Sequence, residues 1–450
     1  MTGSATSTNS KAVRIDLLDF RTVPMRAFHM SWFAFFVCFF AWFGIAPLMS
    51  VVRDEFGLTK DQVGWCIIGG VAATVLVRLA VGRLCDAVGP RVAYTWLLTL
   101  GAVPVIGIAF ADDFATLLVF RVLIGAIGAS FVITQYHTTR MFASNCVGTA
   151  NAAAAGWGNL GGGATHFAMP LLFAFFVGTA GLSEAVSWRA CMVAAGVAIF
   201  LTGVAYYLLT QDTPEGNFKD LRAAGLLPTA SKGGSFLEAC RDRRVWALGL
   251  IYGCCFGMEL TLDGVAALYF TDYFDLGLKE AGFAAGAFGL MNLFARALGG
   301  AVSDRFAARW GLRGRVKWLF LALLGEGLTL MLFSRTSSVA AAIAAMMLCG
   351  LFVKMSNGAT YSVVPFVNRK ALGSVAGIVG AGGNVGAVAA GFLFKGALDW
   401  PTALLILGGV VTVSSFAAFA VRFSEAAEEE AAREFATAVE ERRGLAVATA

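Results

Sequence analysis

Val77–Arg91 reads VRLAVGRLCDAVGPR, and Phe294–Phe306 reads FARALGGAVSDRF. In each, an arginine is followed four residues later by glycine and eight residues later by aspartate. The first set is Arg78, Gly82 and Asp86; the second is Arg296, Gly300 and Asp304, an offset of 218. A second correspondence links Gly148, Gly158 and Asn159 to Gly373, Gly383 and Asn384, at an offset of 225. Two independent pairs at similar offsets mark a chain built as a tandem repeat. Both copies lie within long apolar runs, so the repeat is one of membrane helices.

The rest of the composition agrees. Of 450 residues, 58% are hydrophobic and only 14% are charged, where a soluble domain would carry about 25%. The mean hydropathy is +0.74. Apolar stretches long enough to span a bilayer recur along the whole length. Twelve spans are read, at about 28–50, 61–84, 92–111, 113–141, 148–177, 187–210, 244–271, 280–304, 317–334, 338–367, 372–396 and 401–422. Alternating ten-residue strands, the mark of a transmembrane barrel, are absent. No short apolar core with a small-residue cleavage site precedes the first span, which is expected to serve as the insertion signal. The nine cysteines are scattered without metal or CxxC spacing, and are expected as buried, inert thiols.

The longest and most polar connection, 211–243, divides the spans six and six. The expected organisation is a tail at 1–27, a six-helix bundle at 28–210, this linker, a second bundle at 244–422 and an acidic tail at 423–450. Of the 34 Lys and Arg residues, 24 fall on the side that holds both termini and 6 on the other, with Arg78, Arg121, Arg296 and Lys354 in or at the edge of spans. The positive-inside rule puts both termini in the cytoplasm. Span 5 shares its topology with span 11 and span 2 with span 8, so the repeat is parallel, as between the two halves of a major facilitator carrier. The tail SEAAEEEAAREFATAVEERRG reads as a solvated helix or a frayed end.

Arginine in the middle of a membrane helix costs at least ~2.5 kcal/mol. Two at matched positions would face each other across a pseudo-twofold axis. Each could be satisfied by backbone carbonyls or by an acid in its own half, such as Glu259, Asp263 or Glu326. The favoured reading is an anion site, because two guanidinium planes suit a small planar oxyanion: a carboxylate, a phosphate or nitrate. The runs Gly158-Asn159-Leu160-Gly161-Gly162-Gly163 and Gly380-Ala381-Gly382-Gly383-Asn384-Val385-Gly386 permit close helix approach and narrow the cavity. They also place one amide each near the axis. No Walker loop, HExxH or catalytic triad is present, which argues against an enzyme. The short tails leave no signalling domain for a sensor.

The segment Gly82–Arg91, GRLCDAVGPR, resembles the signature that follows span 2 in the major facilitator superfamily, with Gly82, Asp86, Gly89 and Arg91 in its fixed positions. Asp86 is expected to pair with Arg83 or Arg91 and latch one conformation. AAAAGWGNLGGGATHFAMP in span 5 and GSVAGIVGAGGNVGAVAAGFLF in span 11 resemble the paired signatures of its nitrate/nitrite porter family. That resemblance implies twelve transmembrane helices in two pseudo-symmetric six-helix bundles, and transport of nitrate and nitrite across the inner membrane. It carries the substrate contacts onto Arg78, Arg296, Asn159, Asn384, Phe131, Tyr252 and Phe256. Gly158, Gly161, Gly162, Gly383 and Gly386 are expected to form the close-contact surfaces on which the halves slide. Uptake against an inside-negative potential calls for a coupling cation, at about 2.3 kcal/mol per charge per 100 mV. Proton symport is therefore preferred to nitrate/nitrite exchange, with His137, His166, Glu259 and Asp263 as candidate carriers. Span 4 departs from the family's plant-like members at His137, where those commonly have Trp. No cofactor, metal or nucleic acid is implied; the partners are nitrate, nitrite, protons and the lipid bilayer, and the carrier is expected to work as a monomer.

Overall fold

The computed structural model describes residues 11–227, 234–276, 278–395 and 398–448. Among them the regular structure is helical, and twelve segments follow in the expected order. They are α1 (Val23–Trp42), α2 (Lys60–Val88), α3 (Pro90–Gly107), α4 (Phe114–Met141), α5 (Val147–Gly178) and α6 (Glu184–Leu209). Then come α7 (Arg243–Phe274), α8 (Leu278–Leu290, a tight turn at Met291–Leu293, and 295–309), α9 (312–333), α10 (Val339–Val363), α11 (Leu372–Lys395) and α12 (Trp400–Ser415). Ten helices are long and apolar enough to cross a membrane. The run Ala295–Phe333 counts once among these, yet it breaks at Trp310 and Gly311, where Gly311 takes φ 61°. Glycine alone reaches that conformation without strain, so one 39-residue run becomes the end of α8 and the whole of α9. α2, which carries Arg78, Arg83 and Asp86, is not among the ten. The chain is a multi-pass membrane protein.

Helix starts follow local chemistry. Thr59 and Gln62 form a reciprocal capping box at α2, and Asp113 with Thr116 forms another at α4. α1 begins at Val23, earlier than the apolar count suggests, because Pro24 suits a first helical turn.

The repeat is visible in the packing. α1 lies on α5 as α7 lies on α11, and α3 lies on α6 as α9 lies on α12. Across the halves, α2 meets α11 as α8 meets α5, and α4 meets α11 as α10 meets α5. Each pair maps onto the next by a shift of six helices.

Both ends of the described chain are tied to the same end of the bundle. Ala12 bridges Phe142, and Asn145 donates to the Val13 carbonyl at 2.7 Å. The acidic tail forms a docked helix, α13 (Glu425–Ala448), with Ala431 and Ala438 buried. Glu428 accepts from the Leu312 amide at 3.0 Å, and Glu434 pairs with Arg369. The tail is thus not a free solvated helix; alanines seven apart supply an inward face that its overall polarity hides.

Candidate functional site

The site forms where α2, α4, α5, α7, α8, α10 and α11 converge. Arg78 is fully buried. Its Nη1 donates to the Gly380 carbonyl at 2.6 Å, and its Nε and Nη2 donate to the Gly128 carbonyl at 3.4 and 3.3 Å. The first carbonyl belongs to the second half and the other to the first. Gly128 is available because α4 tightens to a 3-10 helix over Gly125–Ala129, which breaks the usual carbonyl ladder. Among the described residues Arg78 has no carboxylate in contact, so its charge stands uncompensated.

Arg296 is equally buried but differently held. Its Nη2 meets Glu259 Oε2 at 2.5 Å. The Asn159 amide, with its oxygen toward the guanidinium, accepts from Nη1 and Nη2 at 3.0 and 3.1 Å. Glu259 in turn accepts from Lys354 Nζ at 3.1 Å, Asn292 at 2.8 Å and Asn357 at 2.7 Å. This is a closed cluster of two cations, one carboxylate and three amides. One buried arginine is therefore paired with a carboxylate of its own half, and its counterpart is not.

Aromatic rings fill the space between the arginines. Tyr252 and Phe256, one turn apart on α7, stack at 5.2 Å with 4° between planes. Phe131 lies nearly parallel to both, at 5.7 and 6.2 Å. The guanidinium of Arg78 is 5.3 Å from the Phe131 and Phe256 rings, and that of Arg296 is 5.7 Å from Phe256. A flat group between two rings needs about 7 Å, so the rings as they stand part by roughly an ångström to admit one. Several donors here have no acceptor: Arg296 Nε, the Tyr252 hydroxyl and the Asn384 amide, whose oxygen is likewise unpartnered. Buried polar groups are rarely left so. Three unmatched donors around two arginines describe a cradle for an acceptor-rich anion.

The structure brings together Arg78, Arg296, Asn159, Phe131, Tyr252 and Phe256, and Asn384 is buried next to Gly383, which backs the aromatic stack. It adds Tyr361, which packs edge-on against Phe131 at 4.7 Å and Tyr252 at 5.0 Å, and it adds Lys354, Asn292 and Asn357. The signal for Asn292 was its place four residues before Arg296, on the same helix face. Phe35 on α1 stands against Gly158 as Phe256 and Tyr252 on α7 stand against Gly383.

The expected pairing of Asp86 with Arg83 or Arg91 is not what is found. Asp86 crosses to the other half and accepts from the Gly373 and Ser374 amides and the Ser374 hydroxyl, each at 3.0 Å. These are the first free N–H groups of α11, where a carboxylate also meets the positive helix end. Asp304 does the same for α5, accepting from Gly148 at 3.2 Å and Thr149 at 2.7 Å, with Arg315 beside it at 2.7 Å. Gly82 permits the approach: a Cβ there would overlap the Gly373 carbonyl. Arg91 instead donates to the Tyr207 carbonyl at 2.8 Å, and its amide donates to Asp212 at 2.8 Å. Burial holds the Asp212 carboxyl above its ordinary range, although two amides donate to it. Gly89 takes φ 89°, and its missing Cβ makes room for that carboxylate.

The glycine faces also differ from expectation. α5 uses Gly158, Gly161 and Gly162 against the phenylalanines of α1, and α11 uses Gly382 and Gly386 against Gly249 and Gly253 of α7. Gly383 backs the aromatic stack. These glycines weld α5 and α11 to neighbours in their own halves; contacts across the halves are made by others, among them Gly82, Gly148, Gly156, Gly300, Gly373, Gly377 and Gly380.

His137 does not join the site. Its Nε2 donates to the Gln211 carbonyl at 2.7 Å, so Nδ1 accepts from the Tyr206 hydroxyl at 2.5 Å. A neutral imidazole with both nitrogens satisfied inside the first half is a structural one. Replacing His137 with Phe is expected to lower the thermal midpoint, at a cost of roughly 1–3 kcal/mol for the orphaned carbonyl. The pH profile of transport should be unmoved; a flattened profile in a folded variant would assign His137 a proton. The side chain of His166 lies outside the described residues. Asp263, one turn beyond Glu259 on α7, is exposed and approaches Gly289 of α8.

Comparisons with known proteins agree with this picture. The family model of the Major Facilitator Superfamily matches residues 31–364 and 261–447. High affinity nitrate transporter 2.5 of Arabidopsis thaliana is 37% identical over 410 residues, 90% of this chain and 81% of its own. Nitrate/nitrite transporter NrtP of Picosynechococcus is 31% identical over 449 residues, 80% of this chain and 83% of its own. Among solved structures, the proton:xylose symporter XylE superposes with a TM-score of 0.67 at 12% identity, covering 88% of this chain and 94% of that one. That last likeness concerns the fold alone.

Proposed function

We propose that this chain, which belongs to the nitrate/nitrite porter family of the major facilitator superfamily, carries nitrate, and nitrite beside it, into the cytoplasm in company with protons. The observation that carries the reading is the asymmetric pair of buried arginines. Arg78 holds an uncompensated charge, Arg296 is paired with Glu259, and Arg296, Tyr252 and Asn384 carry unmatched donors. An anion is drawn by Arg78 and completes the bonds of Arg296, Tyr252 and Asn384. A flat, weakly hydrated anion also fits between parallel rings once they part by roughly an ångström, which is too little for a tetrahedral phosphate.

Coupling follows from competition. Glu259 and an incoming nitrate both seek Arg296. When nitrate takes the guanidinium, the displaced carboxylate keeps only part of its cation shell and accepts a proton. Proton and anion then travel together. Among the described residues, the hydrogen bonds that join the halves lie between the level of the arginines and the end of the bundle holding the termini. We read this as the state closed to the cytoplasm, with both termini on that side. Rocking the halves would break the caps of Asp86 and Asp304 and open the site inward. One chain completes the site, so the carrier works as a monomer in the inner membrane.

The test is uptake of labelled nitrate into proteoliposomes of the purified protein, challenged by other anions. Nitrite should compete strongly, and acetate and phosphate weakly. Equal competition by acetate would move the assignment to a carboxylate carrier.

A further inference from the structure

Glu326 is used by nothing described above. It lies on α9 with no exposed surface, and neither carboxyl oxygen has a hydrogen-bond partner. Among the described residues, no cation acts on it. The titratable groups near enough for its charge to act on are the thiols of Cys254 and Cys255 on α7 and Cys349 on α10. The Ser356 hydroxyl of α10 faces it, but donates to the Phe352 carbonyl at 2.8 Å. Thr329, one turn on, is bonded back to its own helix. α12 carries no titratable side chain between Trp400 and Ser415, and α13 reaches α9 at its first residues, through Glu428. The charged group that acts on Glu326 is Glu259, of the same sign.

An ionised carboxylate cannot be left in such a place, since burial without a partner costs several kcal/mol. In this conformation Glu326 is a carboxylic acid, and its proton has no acceptor. A purely structural residue would be better replaced by an apolar one of the same volume. The position relative to the anion site is the second observation. One turn of α10 links the two carboxyls: Lys354 and Asn357 hold Glu259, and Ser356 between them turns toward Glu326. Any movement of α10 that follows displacement of Glu259 is felt at Glu326.

We propose that Glu326 is a second proton-binding site of the carrier, loaded and emptied once per cycle. The proposal rests on the proton-coupled reading above. Loading forms one O–H bond with a proton from water on the outer side. Unloading breaks that bond and returns the proton to cytoplasmic water once the second bundle opens and the carboxylate can be hydrated. With one proton on Glu259, one on Glu326 and one nitrate, each cycle moves a net positive charge inward. The membrane potential would then drive uptake directly.

The experiment compares wild type with Glu326→Gln in proteoliposomes, recording proton entry with a pH dye, nitrate entry with label, and the effect of an imposed inside-negative potential. Glu326→Gln keeps the shape of the acid but holds no exchangeable proton, and heat stabilisation by nitrate shows that the variant is folded and binds. The expected result is that protons per nitrate fall by half and uptake ceases to respond to potential, while Glu326→Asp retains the response. Wild-type ratio and potential dependence in the Gln variant would overturn the inference alone. Absence of nitrate-dependent proton entry in the wild type itself would overturn it together with the coupling it rests on.

Discussion

Arg78→Lys is expected to lower nitrate uptake at least 100-fold in proteoliposomes while leaving the protein folded. The charge is retained, so the loss isolates the shape of the donor. The guanidinium reaches carbonyls in both halves, Gly128 and Gly380, and presents a plane 5.3 Å from Phe131 and Phe256. An ammonium cannot bridge both carbonyls and still offer two parallel N–H groups to an anion. Losing two charge-assisted hydrogen bonds costs about 3 kcal/mol or more, which is roughly a 100-fold loss in affinity. Uptake within a few-fold of wild type would mean that a point charge suffices, and that the paired-plane account of selectivity is wrong.

The second large effect is expected at Glu259→Gln. The carboxamide keeps the size of the side chain but withdraws the counter-charge of Arg296 and Lys354. Breaking a buried ion pair costs about 3–5 kcal/mol, so the empty variant should be markedly less stable. Bound anion supplies the missing charge. Nitrate should therefore raise the thermal midpoint of Glu259→Gln by more than that of wild type, as ligand linkage requires. Stimulation of uptake by external acid should disappear, since the group that competes with nitrate no longer titrates. A variant as stable as wild type without nitrate, or one still stimulated by acid, would remove Glu259 from the coupling.

Much of this site was legible because it is written twice. The spacing of Arg78, Gly82 and Asp86 against Arg296, Gly300 and Asp304 needs no structure to be seen, and it locates both arginines and both carboxylates that cross between the halves. Partners that carry no side-chain signal were invisible. Asp86 has arginines nearby in sequence, so a local ion pair was the natural expectation. Its true partners are backbone amides at the start of α11, 287 residues away. The glycines of α5 and α11 were rightly taken as contact surfaces, but a glycine does not say which helix it admits. Lys354 and Glu259 lie 95 residues apart, and nothing in either segment names the other. His137 looked like a proton site because a buried histidine has two readings, and only its hydrogen bonds choose between them.

Proton-coupled nitrate uptake is tested by proton movement during net nitrate entry. Purified protein in liposomes, with a pH dye inside and labelled nitrate outside, separates the alternatives in one trace. Adding nitrate is expected to acidify the interior as label enters, and both signals are expected to vanish together in Arg78→Lys. Nitrate that enters only in exchange for internal nitrite, with no change in internal pH, would contradict proton-coupled uptake.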